Sequence, residues 1–287
     1  MEKSGRRAAG WIAVAILKLL GRLPIGIPLL VGSALLPLYL PFRFRTRARF
    51  RRLSRVGLKI HPYLYYRTRL RLALLSLKHL LGLPDGCTVT IEGREHYEAA
   101  LASGKPVVVL GWHQGPVELL HRIPQQHAGP DHPFFLMTAK AFAPALTNLM
   151  KSGREGTRKE ILHPNSLTGL RRWETEKGIL ALMVDQVPGE PEEWLAPFHG
   201  ALLIPFPGRL LDWISQQEAD FLAVQVRLEK ENRIVFCYYP TDSTLLRNDL
   251  AFHLNRSLQK NPEQYNWSYP KILDALSLAP PELKDLA

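Results

Sequence analysis

Pro106-Val-Val-Val-Leu-Gly-Trp-His113-Gln-Gly115-Pro116-Val-Glu118-Leu-Leu120 reads as a strand, a tight turn and the start of a helix. An unbroken apolar run without alternation describes a strand covered on both faces, as in a parallel or mixed sheet. Gly115 permits close backbone approach, and Pro116 suits a first helical turn. Similar runs recur at Thr88–Glu92, Phe134–Thr138, Ile179–Val184, Phe221–Leu228 and Ile234–Tyr239. Helix-type segments separate them at Glu95–Ala102, Val117–Ile123, Ala141–Lys151, Leu167–Lys177, Gly208–Gln217 and Thr244–Lys260. This alternation predicts an α/β fold with a mixed, largely parallel sheet flanked by helices.

The chain has 287 residues, of which 46% are hydrophobic and 22% charged, and this composition excludes collagen-like, low-complexity and wholly disordered classes. Its two cysteines, Cys87 and Cys237, lie far apart and form no C-x-x-C pair. A disulfide scaffold and a thiolate zinc site therefore have no material, and a reducing cytosolic setting is the natural one for the body.

The net charge of +11 comes from one end. Between Lys3 and Pro84 there are 17 Lys or Arg and no acid, while the remainder is mildly acidic. From Trp11 to Phe42 the chain is almost wholly apolar, broken by Lys18 and Arg22, and Leu23–Phe42 runs 20 residues without a charge. That length suits a membrane, but Pro24, Pro28, Pro37 and Pro41 argue against one straight helix. The expectation is a helix or kinked pair lying in or dipping into the bilayer, with a single span as the alternative. Arg43, Arg45, Arg47, Arg49, Arg51, Arg52 and Arg55 follow at once, which places that end on the cytoplasmic side. A nucleic-acid arm and a secretory signal peptide are the competing readings of the same residues. A helical pattern over His61–Leu81 closes at Leu83-Pro84-Asp85-Gly86, dividing a basic, helical membrane-anchoring region, 1–84, from an α/β domain, 85–287.

Sites in open α/β sheets gather at the carboxyl ends of strands, where His113 falls. Glu118, five residues on, is within reach of the imidazole, and a His with a carboxylate partner can take a proton from a hydroxyl. The bland alternative is a helix-capping His113 with a solvated Glu118. G-x-S-x-G, P-loop and G-x-G-x-x-G patterns are absent from the sequence, which removes the usual marks of serine hydrolases and nucleotide enzymes. Asp185-Gln186, before Val187-Pro188-Gly189, marks a second strand end expected to face the same crevice. Arg154 offers a fork of donors to a phosphate or an oxyanion. His121, His127 and His132 match no common ligand spacing and read as loop histidines, so neither a metal nor a redox cofactor is expected.

Taken together, His113-Gln-Gly-Pro-Val-Glu118-Leu, Arg154 with Gly156, Val184-Asp185-Gln186, Pro197-Phe-His-Gly200 and Asn261-Pro-Glu-Gln-Tyr-Asn-Trp-Ser-Tyr-Pro-Lys271 resemble the bacterial lipid A biosynthesis acyltransferases. These form a branch of the wider glycerolipid acyltransferases. The C-terminal motif, similar to the family's P-E-Q-Y-x-W, is the most specific match. The resemblance implies a membrane-associated O-acyltransferase with His113 as general base and Glu118 as its partner. It also implies acyl carrier protein, or acyl-CoA, as donor and a lipid A precursor as acceptor. Gly115, Arg154, Asp185 and Gln186 are then the candidate substrate-binding residues. Pro116-Val117 stands where the family usually has Asn-Trp, His199 where a second Phe is common, and the segment after Gly200 lacks the usual threonine. These departures touch the acceptor side, so another glycolipid, a phospholipid or a lipoamino acid stays open as acceptor. A non-catalytic membrane or nucleic-acid-binding protein is the less favoured reading, and no nucleic-acid partner is expected.

Overall fold

The computed structural model describes residues 15–43, 48, 50, 51, 53, 54, 57–130, 132–138, 159–163, 166–185, 193–195 and 204–267. The expected helix at 141–151, Arg154, Gln186, Pro197–Gly200 and the chain beyond Trp267 lie outside them.

Two short apolar helices, α1 (Ala15–Arg22) and α2 (Gly26–Tyr39), lead to α3 (Pro62–Leu80). Then follow β1 (Thr88–Glu92), α4 (Arg94–Ala102), β2 (Val107–Gly111), α5 (Leu119–Ala128), β3 (Phe134–Met137) and β4 (Lys159–Leu162). After these come α6 (Leu167–Thr175), β5 (Ile179–Met183), β6 (Glu193–Leu195), β7 (Ile204–Phe206), α7 (Gly208–Ser215), β8 (Asp220–Leu228), β9 (Arg233–Thr241) and α8 (Leu246–Lys260).

Seven strands form one sheet in the order β1-β9-β8-β2-β5-β3-β4, and β6 pairs with β7 apart from it. Every pairing in the large sheet is parallel except β8 with β9, so the sheet is mixed and mostly parallel, as expected. Alternate residues of the central strands feed two apolar clusters, one per face. Val108, Leu110, Leu180 and Leu182 join Trp173, Leu211, Leu250 and Leu254 on one side. On the other side Val107, Val109, Ile179 and Ala181 join Tyr97, Leu119, Leu120 and Ile123. Helix α3 serves both faces, placing Tyr65 in the first cluster and Leu72 and Leu75 in the second. Cover on both faces is the reason the central strands read as continuous apolar runs.

Burial holds the imidazoles of His79, His127 and His253 below their ordinary range. Each binds a proton less readily in the fold than in the unfolded chain, so its contribution is full above about pH 6.5 and is lost as pH falls below that. The urea midpoint is therefore expected to drop between pH 7 and pH 5. His253, which stacks on Tyr239 with ring centroids 4.4 Å apart, supplies part of that slope, and His253→Gln should flatten it. A midpoint constant over this range would contradict the assignment.

Candidate active site

Strands β2 and β5 lie side by side in register, Val107 opposite Ile179 and Gly111 opposite Met183. Just past the strand ends Val184 N donates to Gly111 O at 2.8 Å. Two residues past each strand end, on the same face, stand His113 and Asp185. They meet: His113 Nδ1 and Asp185 Oδ1 are 2.8 Å apart, and the His113 backbone N–H donates to Asp185 Oδ2 at 2.9 Å. Asp185 is fully buried, while about a quarter of the His113 side chain is open to solvent. Because the carboxylate can only accept here, Nδ1 carries the proton and Nε2 presents its lone pair.

Glu118 lies elsewhere than its spacing suggested. Its backbone is already right-handed helical at the N-cap of α5, so the side chain follows the helix surface to position i+3. There Glu118 Oε2 meets His121 Nε2 at 3.1 Å, and His121 Nδ1 is 2.9 Å from Lys159 Nζ on β4. The carboxylate on His113 Nδ1 is that of Asp185. His121 and His127 also belong to α5 rather than to a loop, because the helix runs on through Pro124.

His113 and His121 line one narrow pocket of ≈ 80 Å³ together with Gly111, Val117, Leu120, Leu136, Met137, Thr138, Ala181, Met183 and Val224. Its walls are the carboxyl ends of β2, β3 and β5 and the inner face of α5. The volume suits the reacting end of an apolar chain rather than a whole one, being equivalent to about three waters.

Gly115 is explained by backbone geometry. Its φ is +67°, and a Cβ there would lie 2.2 Å from the Val226 carbonyl oxygen on β8. The loop bearing His113 thus rests directly on the strand that overhangs β2, a contact open to glycine alone.

The C-terminal motif braces the same loop. Gln114 forms an antiparallel bridge with Tyr265, and Asn266 N donates to His113 O at 2.9 Å. Below, the buried Gln114 amide donates to the carbonyls of Ser257 and Asn261, and its oxygen accepts from Trp112 Nε1 and the Ser257 hydroxyl. Gln225 completes this network through Ser257. Gln264 spans Leu228 as a strand would, accepting from its N–H at 2.8 Å and donating to its carbonyl at 2.6 Å. Tyr265 and Trp267 of this motif are buried in the core. No sequence signal marks the Gln114, Gln225 and Ser257 network, since isolated glutamines and serines look like surface residues.

Gln264→Leu would leave both backbone groups of Leu228 unpaired in the interior. An unsatisfied buried group costs about 1–3 kcal/mol, so a loss of about 3 kcal/mol is expected in denaturant titration. A change below the resolution of that titration would mean that water replaces the amide.

Sequence comparison agrees with the geometry. A family model described as bacterial lipid A biosynthesis acyltransferase matches residues 86–273. No curated protein matches the chain. The matched segment holds the whole sheet, the His113–Asp185 pair and the bracing motif, and the chain belongs to this acyltransferase family.

Proposed function

We propose that this member of the lipid A biosynthesis acyltransferase family moves a fatty acyl chain from a thioester donor to a hydroxyl of a membrane glycolipid, with a lipid A precursor as the first candidate acceptor. The observation that carries the reading is the His113–Asp185 pair at the mouth of an apolar pocket. A hydroxyl oxygen attacks the thioester carbonyl carbon while its proton passes to His113 Nε2. Asp185 holds the ring and stabilises the imidazolium that forms, as the carboxylate does in other His-carboxylate sites. Collapse of the tetrahedral intermediate breaks the carbon–sulfur bond. The thiolate leaves with the proton from His113, giving one ester and one thiol, so atoms and charge balance.

Glu118 keeps a place in the machinery. It holds His121, which lines the pocket, from one ring nitrogen while Lys159 meets the other. Arg154 and Gln186 are assigned to substrate or oxyanion binding on the family resemblance. Acyl carrier protein, an acidic partner, is the proposed donor, with acyl-CoA as its substitute.

In this reading residues 1–84 hold the chain on the cytoplasmic face of the inner membrane, and residues 85–287 carry the chemistry. Supporting it are the acid-free basic segment and the exposed apolar residues of α1 and α2. Purified protein, one acyl thioester and a panel of lipid acceptors would test the acceptor class. Lipid A precursors are expected to gain one acyl mass. Transfer only to a phospholipid would keep the mechanism and move the acceptor, and no transfer to any acceptor from either donor type would refute the reaction.

A further inference from the structure

Behind the loop that carries His113 lies a second cavity, separate from the reaction pocket. Strand β8 runs on to Leu228 past its last pairing with β2, Leu110 opposite Ala223. That overhang, the turn into β9, the end of α8 and the Leu64, Thr68, Arg71 stripe of α3 enclose a groove of ≈ 910 Å³. The volume is that of a small-molecule site, about 300–1,000 Å³. The groove sits beyond the carboxyl ends of the strands, the edge at which α/β sheets take ligands.

Its lining favours negative charge. Arg71 of α3, Lys230 in the turn, Arg233 of β9 and Lys260 at the end of α8 reach it from four parts of the chain. Like charges repel, so their convergence weakens the fold unless an anion joins them. Two carboxylates, Glu229 and Glu263, share the lining. Glu229 is taken up by Arg227 at 2.9 Å and by Arg233, which leaves Glu263 against Arg71, Lys230 and Lys260. The side chains of Lys230 and Lys260 make no ion pair or hydrogen bond among the described residues. Arg71 donates to the Asn232 side chain and so ties α3 to the turn across the groove. A second observation is independent of charge. The side-chain nitrogen of Asn261, in the same lining, is buried without a hydrogen-bond partner. Buried donors are rarely left so, and an oxygen-rich ligand supplies the acceptor.

We propose that this groove binds a phosphate ester whose polar body fills the remaining volume. Its oxygens accept from Lys230, Lys260 and the Asn261 amide, with Arg71 at the edge. The site stands on its lining; what brings a phosphate there rests on the acyl-transfer reading, in which a thioester donor built on pantetheine phosphate and a phosphorylated glycolipid acceptor each carry one. The groove is also joined to the catalytic loop. The Asn261 carbonyl accepts from the Gln114 amide at 3.0 Å, and the Gln264 carbonyl accepts from Gly115 N–H at 3.3 Å. A ligand seated on Asn261 and Gln264 therefore steadies the loop that aims His113.

The test is isothermal titration calorimetry of the full chain in neutral detergent. Coenzyme A and glucosamine phosphate are the probes, and pantetheine and glucosamine are their phosphate-free counterparts. At least one ester is expected to bind and neither counterpart should. Replacing both lysines, Lys230→Gln and Lys260→Gln, should weaken that binding about tenfold, and because both are exposed the unfolding midpoint should stay in place. Binding of coenzyme A alone would assign the groove to the donor, and of glucosamine phosphate alone to the acceptor. No binding of either ester at millimolar concentration, or binding that the double variant keeps unchanged, would overturn the site. Acyl transfer is scored separately on its own acceptors, so loss of the site and loss of the acyl-transfer reading are told apart.

Discussion

His113→Ala is expected to lower the turnover of acyl transfer by about 10²–10⁴-fold, the usual contribution of a positioned general base, without a matching loss of stability. The side chain is about a quarter exposed and rests on a loop held by other residues, so its removal should leave the unfolding midpoint within about 1 kcal/mol of the wild type. Asp185→Asn should lose activity on a similar scale for a different reason. Both Asp185 oxygens accept from residue 113, and an amide can accept at only one of those places. Either the backbone bond is lost, or the imidazole shifts its proton to Nε2 and hides the lone pair that must act as base. Comparison of kcat and the denaturation midpoint for both variants checks this. An Asp185→Asn protein with full turnover would contradict the role given to the pair.

Gly115→Ala should be among the most damaging single methyls in the body. A left-handed backbone costs an L side chain about 1–2 kcal/mol, and the new Cβ would also collide with the Val226 carbonyl. Backbone cannot rotate away as a side-chain tip can, so the loop must lift from β8, carrying His113 away from Asp185. A loss of about 4 kcal/mol is expected, in the tail of single substitutions, together with most of the activity. Gly104 provides the control, because its φ is +69° with open space around it. Gly104→Ala should cost only the backbone share. Equal losses at the two positions would show that the collision with β8 is not what makes Gly115 necessary.

Of the six strands legible in the sequence, five are covered on two faces and so read as apolar runs, while β1, Thr88-Val-Thr-Ile-Glu92, is an exposed edge strand marked by its β-branched residues. β4, Lys159-Glu-Ile-Leu162, escaped that reading: as an edge strand it keeps two charged side chains, and only Leu162 is fully buried. Asp185 could be placed at the crevice from sequence, since it follows an apolar run at the same offset as His113. Its bond to the imidazole could not, because strand register between β2 and β5 is a tertiary fact. Glu118 shows the converse. Five residues of separation put it near His113, but the direction of its side chain is set by where the helix begins, and a one- or two-residue difference in that boundary sent it to His121. The glutamine network under the loop leaves no periodic trace at all, and its members are polar for one another's sake.

Acyl transfer to a lipid hydroxyl with His113 as the base is met directly by one measurement. Mass spectrometry of membrane lipids from cells expressing either the intact chain or its His113→Ala form should show one added acyl mass on a lipid A species with the first and none with the second. An acyl increment that persists in the His113→Ala cells would contradict the mechanism.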